Sequence, residues 1–309
     1  MQQTIDPGLG EKYFGKTKRV INKDGSFNVT RMGTDFHPKD IYQFLVNLSW
    51  TKFFGLIVLS YIIFNAIFGL IYFKAGVGNL KGITDSAPLE YYFNCFFFSV
   101  QTSTTIGYGG IIPEGLLANF IVTVEAMAAV LAFALITGLL YGRFSHPFSR
   151  ILYSKNAIVA PYKGIKSVQF RVVNQRNNNL MDLEAKVMAV LVDKDFNRKY
   201  YDMKLERYSV HFFALSWTVV HPIDKDSPLF DKSLEELKVK QFEMIILIKG
   251  YDDTFNQVVH SRYSYTFDEI IWGAKFVRSF STNSDGDIIL KLDDIHLIEK
   301  VNLEQSYTE

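Results

Sequence analysis

Two stretches of the chain are apolar for long enough to cross a membrane. Residues 53–73 contain no charged side chain, and residues 116–141 are interrupted only by Glu125. A helix of about 20 residues spans the roughly 30 Å of hydrocarbon in a bilayer. The pattern therefore predicts two transmembrane helices, an outer one over residues 51–74 and an inner one over residues 115–144.

Two shorter stretches accompany these spans. Residues 89–102 are apolar but too short to cross, so they predict a re-entrant pore helix over 89–103 that leads into a loop at 104–110. Before the first span, residues 38–50 place apolar side chains at helical spacing with polar ones opposite. This predicts a short interfacial slide helix within 36–50, anchored by Trp50, and an ordinary amphipathic packing helix is the alternative.

After residue 150 the pattern changes to short strand-like runs separated by turn signals. Several runs alternate between apolar and polar positions, as in residues 168–173, 184–192, 244–248 and 288–292. Such runs are typical of an all-β domain, here a sandwich over residues 146–309. With a pore domain over 51–145, this leaves residues 1–35 as a cytoplasmic N-terminal segment that contains a strand.

Charge indicates how the chain is oriented. The 309 residues include 33 basic and 32 acidic ones, a balance that argues against nucleic-acid binding through bulk charge. Basic residues cluster before the first span and after the second, whereas residues 74–115 contain only Lys74 and Lys81. The positive-inside bias predicts a multi-pass protein of the cell (inner) membrane with both termini in the cytoplasm. The polar N-terminus lacks a signal-peptide core, so insertion is expected to use the internal spans.

The loop TTIGYGG at residues 104–110 carries the candidate chemistry. A potassium ion crosses a membrane when a ring of backbone carbonyls replaces its water shell. Glycine at alternate positions, Gly107 and Gly109, allows successive carbonyls to face one axis. We expect the carbonyls of Thr105, Ile106, Gly107 and Tyr108 to bind K⁺, with the Thr105 hydroxyl at the inner end. One chain supplies about one quarter of such a ring, which predicts a homotetramer; a simple glycine turn is the alternative.

These residues resemble the signature of the inward-rectifier potassium channel family, in particular its bacterial KirBac branch. The resemblance extends to NKDG at 22–25, FRV at 170–172, LSWTVVHPID at 215–224 and DEIIWG at 268–273. It implies a multi-domain membrane protein with a two-transmembrane-helix tetrameric potassium-channel pore and an immunoglobulin-like β-sandwich cytoplasmic domain. It also implies passive, selective K⁺ conduction, gated at the inner helices and the cytoplasmic domain, and no enzyme activity. A non-selective cation channel and a membrane-anchored sensor are the alternatives.

The inner helix carries the candidate gate. Phe133 and Tyr141 are eight residues apart and therefore lie roughly on one face, where bulky side chains form an apolar constriction. The alternative is that one or both of these side chains face the lipid. The resemblance places Phe133 where strongly rectifying members carry an acid. Ba²⁺ and polyamines are the candidate blockers, and without a carboxylate at Phe133 we do not expect tight polyamine block.

Support for the filter is expected from Glu125 and Gln101. Glu125 is the only ionisable group inside either span, so we expect it to act as a hydrogen-bonding strut; a titrating gate is the alternative. The resemblance places Gln101 and Ile111 where the family has a charged pair behind the filter. The family's cysteine pair beside the filter is absent, since Cys95 is the only cysteine. Filter rigidity must therefore come from packing and other hydrogen bonds.

Anionic membrane lipids are the other predicted partner. By resemblance, the lipid-contacting residues are Lys52, Arg143 and Arg150, with Trp50 beside them and His146 in place of a further cation. Basic residues next to a span each gain about 1 kcal/mol near an anionic leaflet. The same residues also satisfy the positive-inside rule without any specific lipid site.

Two further predictions concern the cytoplasmic domain, and a third concerns cofactors. By resemblance, Glu184 and Glu269 face a cytoplasmic pore and concentrate cations, and a solvated surface position is the alternative. The segment HPID at residues 221–224 has no accompanying nucleophile or metal-ligand spacing, so it is interpreted as a structural turn. No cofactor is expected, because K⁺ is the permeant ion.

Overall fold

The computed structural model describes residues 3–4, 6–12, 19–33, 40–83, 87–145 and 149–303. The chain divides into two compact units. One unit is Gly33–His146, and the other combines Met1–Met32 with Pro147–Glu309. The first is the membrane unit, and the second is the β unit.

The regular elements of both units are numbered in chain order. The helices are α1 (Asp40–Asn47), α2 (Trp50–Ala75), α3 (Pro88–Ser103), α4 (Gly115–Phe144) and α5 (Leu234–Val239). The strands are β1 (Gln3–Thr4), β2 (Leu80–Lys81), β3 (Ile112–Pro113), β4 (Ile151–Tyr153), β5 (Ala157–Tyr162), β6 (Ile165–Asn174), β7 (Leu180–Val192), β8 (Arg198–Asp202), β9 (Ser209–Phe212), β10 (Trp217–Ile223), β11 (Glu243–Asp252), β12 (Gln257–Thr266), β13 (Ile270–Trp272), β14 (Ala274–Phe276), β15 (Phe280–Thr282), β16 (Ile288–Leu290) and β17 (Ile298–Lys300).

The membrane unit is built from two long apolar helices with a shorter one between them. Helices α2 and α4 have 26 and 30 residues, and each contains a window of mean hydropathy 2.3, long enough to cross a bilayer. Helix α3 has 16 residues, with Pro88 in its first turn, where a missing N–H costs nothing. These lengths fit a protein that crosses the membrane twice and carries a re-entrant helix between the spans.

The start of the membrane unit differs from the predicted slide helix in one respect. Helix α1 ends at Asn47, and a new helix begins at Trp50, so Trp50 belongs to the outer helix and not to the interfacial one. The break lies at Leu48 and Ser49, where Ser49 has the extended backbone of a residue that precedes a helix. Residues 36–39 of the predicted helix lie outside the described residues.

The β unit is a β-sandwich. One sheet has the order β1-β8-β7-β11-β12, with β9 also paired to β7, and the other has the order β10-β6-β5-β13, with β4 paired to β6. Alternate side chains of the long strands pack into a common core; examples are Phe170, Leu183, Val187, Met244 and Ile246. This arrangement confirms the predicted fold class of two spanning helices with a β-sandwich domain.

The segment HPID does not form the predicted turn. His221 and Pro222 lie in strand β10, which pairs with β6 through Ile223, and a hydrogen-bonded turn follows at Asp224. Strand β10 lies at the edge of its sheet, where a proline can replace an N–H that has no ladder partner. The proline therefore marks an edge strand and not a turn.

The N-terminal segment belongs to the β unit. Val20 and Ile21 are buried against Val190, Tyr200 and Ile245 on the outer face of the larger sheet. The strand of this segment is the short β1, whereas the NKDG residues 22–25 lie in a tight turn that is closed by a bridge between Ile21 and Phe27. The turn forms because Asp24 accepts hydrogen bonds from the Ser26 amide and hydroxyl.

Candidate functional site

The TIGYG loop alternates between two backbone conformations. The angle φ is positive at Thr105 (61°), Gly107 (55°) and Gly109 (79°), but not at Ile106 or Tyr108. A backbone in which positive and negative φ alternate turns successive peptide groups to the same side of the chain. Glycine adopts the left-handed region at little cost, which explains two of the three positive angles. The loop therefore has the backbone pattern needed to place a row of carbonyl oxygens along one line.

The inner half of this loop is held by the end of helix α3. The amides of Ile106 and Gly107 donate to the Gln101 carbonyl, at 2.9 and 3.3 Å, and the Thr105 amide donates to the Thr102 carbonyl at 3.0 Å. The last carbonyls of a helix have no hydrogen-bond donor within the helix and otherwise bind water. The amides of the loop take the place of that water. Gln101 thus supports the loop through its backbone carbonyl.

A buried carboxylate connects the three large helices of the membrane unit. Glu125 on α4, Tyr72 on α2 and Ser99 on α3 all have no solvent exposure. The Tyr72 hydroxyl donates to Glu125 Oε2 at 2.6 Å, and Ser99 Oγ is hydrogen-bonded to Glu125 Oε1. The partners of Glu125 therefore include the helix that precedes the TIGYG loop.

An amide on the outer helix extends this network. Asn65 is fully buried, and its Oδ1 lies 3.0 Å from Ser99 Oγ and 2.8 Å from Ser103 Oγ. Its Nδ2 donates to the Tyr61 carbonyl at 2.8 Å. Asn65 thereby connects α2 to the last two turns of α3. Buried polar groups that are fully hydrogen-bonded specify a single arrangement of their helices.

One cavity of about 550 Å³ brings the loop and the inner helix together. Ser103, Thr104 and Thr105 line it at the end of α3, and Val130 and Phe133 line it on α4. The C-terminal end of a helix carries a partial negative charge, which favours a cation in front of it. Phe133 and Tyr141 are 74% and 75% exposed, so most of each side chain is not covered by the rest of the chain.

Arg143 has a different environment from the predicted lipid contact. Its Nη1 donates to the Leu45 and Val46 carbonyls at 2.6 and 2.8 Å, and its Nη2 donates to the Leu48 carbonyl at 2.7 Å. The guanidinium carbon also lies 4.5 Å and 4.4 Å from the ring centroids of Trp50 and Phe53. The carbonyls at the end of α1 attract this cation because they lack helical partners. Arg143 therefore fastens α1 to α4.

Comparison with known proteins decides which family this chain represents. Residues 21–147 match the inward rectifier potassium channel transmembrane domain, and residues 151–309 match the inward rectifier potassium channel C-terminal domain. The inward rectifier potassium channel Kirbac3.1 of Paramagnetospirillum magnetotacticum is 37% identical over 94% of this chain and 98% of its own length. The chain belongs to the inward-rectifier potassium channel family.

More distant relatives of this potassium channel come from animals. The ATP-sensitive inward rectifier potassium channel 12 of Gallus gallus is 28% identical, over 84% of this chain and 66% of its own length. The G protein-activated inward rectifier potassium channel 3 of Mus musculus is 27% identical, over 87% of this chain and 74% of its own. The protein is thus a membrane channel for K⁺, as the loop and the two spans predicted, and its family is not an enzyme family, as the resemblance implied.

The other predicted lipid contacts of the channel are accessible. Lys52 and Arg150 are exposed, and Trp50 is 42% exposed. His146 lies outside the described residues. Lys52 and Arg150 therefore keep the exposure that a contact with an anionic headgroup requires, whereas most of the Arg143 donors are already used.

The two predicted cytoplasmic acids differ from each other. Glu184 is exposed on β7, directly across from Lys249 of β11. Glu269 is largely buried, with a side-chain exposure of 14%, and pairs with Arg19 and Lys23, each at 2.6 Å. A carboxylate with two cationic partners attracts few further cations, so the expected role does not fit Glu269. The paired cations belong to the N-terminal segment, whose contacts with the β unit the sequence did not reveal.

The electrostatics of Glu269 follow from these contacts. Burial of the carboxyl group by itself raises its pKa, but the bonds from Lys23, the Thr266 amide and Arg19 outweigh burial and lower the pKa of Glu269 below 4.5. A second acid, Glu243, is 5% exposed and accepts the Val20 amide at 2.9 Å. Two carboxylates therefore hold the N-terminal segment on the outer face of the sheet.

Sequence reasoning missed the partners of Glu125 and of the N-terminal segment. Tyr72, Ser99 and Asn65 are single polar residues within apolar stretches, which is the available signal for membrane-buried hydrogen bonding. Arg19 and Lys23 belong to the basic residues before the first span, and Lys23 also belongs to NKDG at 22–25, but neither pattern indicates a partner for them. Their common partner is about 250 positions away along the chain, so no local pattern reveals the pairing.

Proposed function

We propose that residues 105–109 form the selectivity filter of a homotetrameric, K⁺-selective pore. The carbonyls of Thr105, Ile106, Gly107 and Tyr108 replace the water shell of the ion, and the Thr105 hydroxyl completes the inner end. The observation that carries this proposal is the alternation of positive φ at Thr105, Gly107 and Gly109 in a loop between two membrane-length helices. Irregular backbone at that depth is tolerated where it lines a water-filled path.

The exposure of the loop supports assembly into a tetramer. Tyr108 is 79% exposed and Ile106 is 52% exposed in the single chain, although both belong to an apolar unit. Several copies around an axis cover such side chains and complete a carbonyl ring that one chain cannot form. The same assembly covers the exposed faces of the inner helices.

The remaining parts of the channel have roles that follow from their positions. The channel lies in the inner membrane of the cell. Both termini lie in the cytoplasm, because the basic residues precede the first span and follow the second. Phe133 and Tyr141 form an apolar constriction on the inner helix, and the β unit is an immunoglobulin-like cytoplasmic domain. Lys52 and Arg150 bind anionic lipid. Ba²⁺ blocks the filter, and polyamines block weakly because Phe133 offers no charge.

Tracer uptake tests the filter. Purified full-length protein in liposomes with anionic lipid is expected to take up Rb⁺ and to exclude Na⁺. Gly107→Ala is expected to abolish Rb⁺ uptake, since a left-handed conformation costs an L-residue about 1–2 kcal/mol and the carbonyl row depends on it. Gly55→Ala is the control, because Gly55 lies in helix α2 with no neighbour within 4 Å of an added β-carbon.

Two results contradict the proposal. Equal uptake of Na⁺ and Rb⁺ by the unmodified protein indicates a non-selective cation channel. Unchanged Rb⁺ uptake by Gly107→Ala, together with unchanged uptake by Gly55→Ala, indicates that residues 105–109 do not form the conducting filter.

A further inference from the structure

The outer half of the proposed filter is not held as the inner half is. Within the described part of the chain, the backbone of Tyr108, Gly109 and Gly110 makes no hydrogen bond, whereas Ile106 and Gly107 both donate to Gln101. A disulfide is excluded as a brace, because the chain has a single cysteine. Carbonyls that coordinate an ion must nevertheless keep their positions.

The loop between α2 and α3 lies against this outer half. Strand β2 pairs with β3, with Leu80 opposite Pro113 and Lys81 opposite Ile112. The Glu114 amide also donates to the Asn79 carbonyl at 2.9 Å. A short antiparallel ladder therefore connects the segment before the pore helix to the segment after the filter.

Gly82 is the point of closest approach in this contact. A β-carbon on Gly82 would overlap the Gly110 carbonyl oxygen and would lie 3.1 Å from the Gly110 carbonyl carbon and 3.3 Å from the Ile111 Cα. Gly82 also has a φ of +99°, a conformation that side chains rarely adopt. Only a residue without a side chain lets the two backbones come this close.

The loop is itself anchored to the helices. Leu80 is 3% exposed and packs with Tyr72, Tyr91, Cys95 and Phe98 of the outer and pore helices. Ile83 from the loop and Ile111 from the segment after the filter pack partly against the same cluster. The loop and the outer end of the filter therefore share one apolar base.

We infer that Gly82 is a positioning residue for ion selection. Residues 79–83 brace the outer end of the filter by backbone contact and set the positions of its outer carbonyls, in place of a covalent link. The inference rests on the proposed function of residues 105–109 as the filter. It predicts that a side chain at Gly82 displaces Gly110 and weakens the discrimination between K⁺-like and Na⁺ ions.

The test compares two glycines of the same loop. Gly76 has a φ of +97°, almost the same as Gly82, but an added β-carbon there has nothing within 4 Å. Gly82→Ala and Gly76→Ala therefore share the backbone strain and differ in the contact with Gly110. The full-length channels are reconstituted into liposomes, and the liposomes are exposed to Rb⁺ or Na⁺ tracer. The ratio of Rb⁺ uptake to Na⁺ uptake is measured.

We expect Gly82→Ala to lower the Rb⁺/Na⁺ uptake ratio by about tenfold or more, equivalent to about 1.4 kcal/mol of lost discrimination. Gly76→Ala is expected to keep the ratio of the unmodified channel. An unchanged ratio in Gly82→Ala overturns the inference, and so does an equal loss in both variants, because that result assigns the effect to backbone strain. A non-selective unmodified channel refutes the proposed filter instead.

A second variant decides the question if Gly82→Ala does not assemble. Leu80→Ala removes the buried anchor of the loop without adding an atom near the filter, so it loosens the brace and leaves Gly110 free of overlap. We expect this variant to assemble and to show a lower uptake ratio than the unmodified channel. An assembled Leu80→Ala channel with an unchanged ratio overturns the inference.

Discussion

Replacement of Glu125 by alanine or by glutamine separates hydrogen bonding from charge behind the filter. Alanine removes both carboxyl oxygens and leaves the fully buried Tyr72 hydroxyl without its acceptor. Ser99 keeps a partner, because Asn65 Oδ1 lies 3.0 Å away. A buried hydroxyl without a partner costs about 1–3 kcal/mol, and the cavity left by a side chain of this size costs about 2–5 kcal/mol. Glu125→Ala is therefore expected to destabilise each subunit by at least about 3 kcal/mol.

Glutamine is expected to behave differently because its amide adds N–H donors to the hydrogen-bond network. Asn65 uses its Nδ2 for the Tyr61 carbonyl, so its Oδ1 faces Ser99 and can only accept. With an ionised Glu125, the single proton of Ser99 would serve two acceptors. A glutamine amide donates to Ser99, which then donates to Asn65, while the glutamine oxygen accepts from Tyr72. Tyr72, Ser99 and Asn65 all keep a partner, so Glu125→Gln is expected to cost much less than Glu125→Ala.

The assay for this pair is heat resistance of the purified full-length channel in detergent. The fraction that remains assembled after heating is measured by gel filtration, and Rb⁺ uptake is measured after reconstitution. We expect the midpoint temperature of Glu125→Gln to stay near that of the unmodified channel and that of Glu125→Ala to fall well below it. A loss with glutamine as large as that with alanine would refute the reasoning, because it would show that the charge is required.

Three other predictions concern Arg143, His221 and Glu269. Arg143→Lys keeps the charge, but its single ammonium group does not reproduce the guanidinium fork that reaches three carbonyls. We therefore expect both Arg143→Lys and Arg143→Ala to lose about 1–3 kcal/mol of thermal stability. Retention of full stability with lysine would favour a lipid contact. His221 Nδ1 donates to the Lys204 carbonyl and its Nε2 accepts from Ser227, and burial lowers the pKa of His221 below 6.5. The free energy of unfolding is therefore expected to fall as the pH drops below 6.5, by at most about 1.4 kcal/mol per pH unit. Thermal melts at several pH values measure this loss. The same pH dependence in His221→Gln as in the unmodified protein would contradict the prediction. The pKa of Glu269 is lowered, so its contribution to stability is present above pH 4.5 and is lost as the pH falls through the lowered pKa. Glu269→Gln removes this contribution at pH 7 and is therefore expected to speed proteolysis near Arg19. An unchanged cleavage rate would contradict the ion pairs.

The parts of the fold that were predictable depend on residues close together in the sequence. The bounds of α4 match the predicted inner helix. Helix α2 extends one residue beyond the predicted bounds at each end, and α3 begins one residue earlier than predicted. Length and apolar content determine these helices because a bilayer admits few alternatives. The long strands β6, β7 and β11 were likewise visible as alternating runs, although each extends beyond its predicted range.

The parts that were not predictable depend on contacts between distant residues. A cation at the end of a span is equally compatible with the positive-inside rule, with a lipid headgroup and with the end of a helix. Only the structure shows that Arg143 binds carbonyls in the last turn of α1 and just after it. HPID was interpreted as a turn because no catalytic partner accompanies it, but the position of β10 at a sheet edge was not visible in the sequence. Glu269 was assigned by resemblance, and its pairing with Arg19 and Lys23 requires the N-terminal segment to lie on the β unit.

The central claim is that the loop at residues 105–109 conducts potassium and rejects sodium. The most direct measurement is the reversal potential of the reconstituted full-length channel in a planar bilayer of defined lipid, with K⁺ on one side and Na⁺ on the other. We predict a current that reverses far from zero, in the direction set by the K⁺ gradient, and that disappears in Gly107→Ala. A reversal potential near zero, or an unchanged current in Gly107→Ala, would contradict the claim.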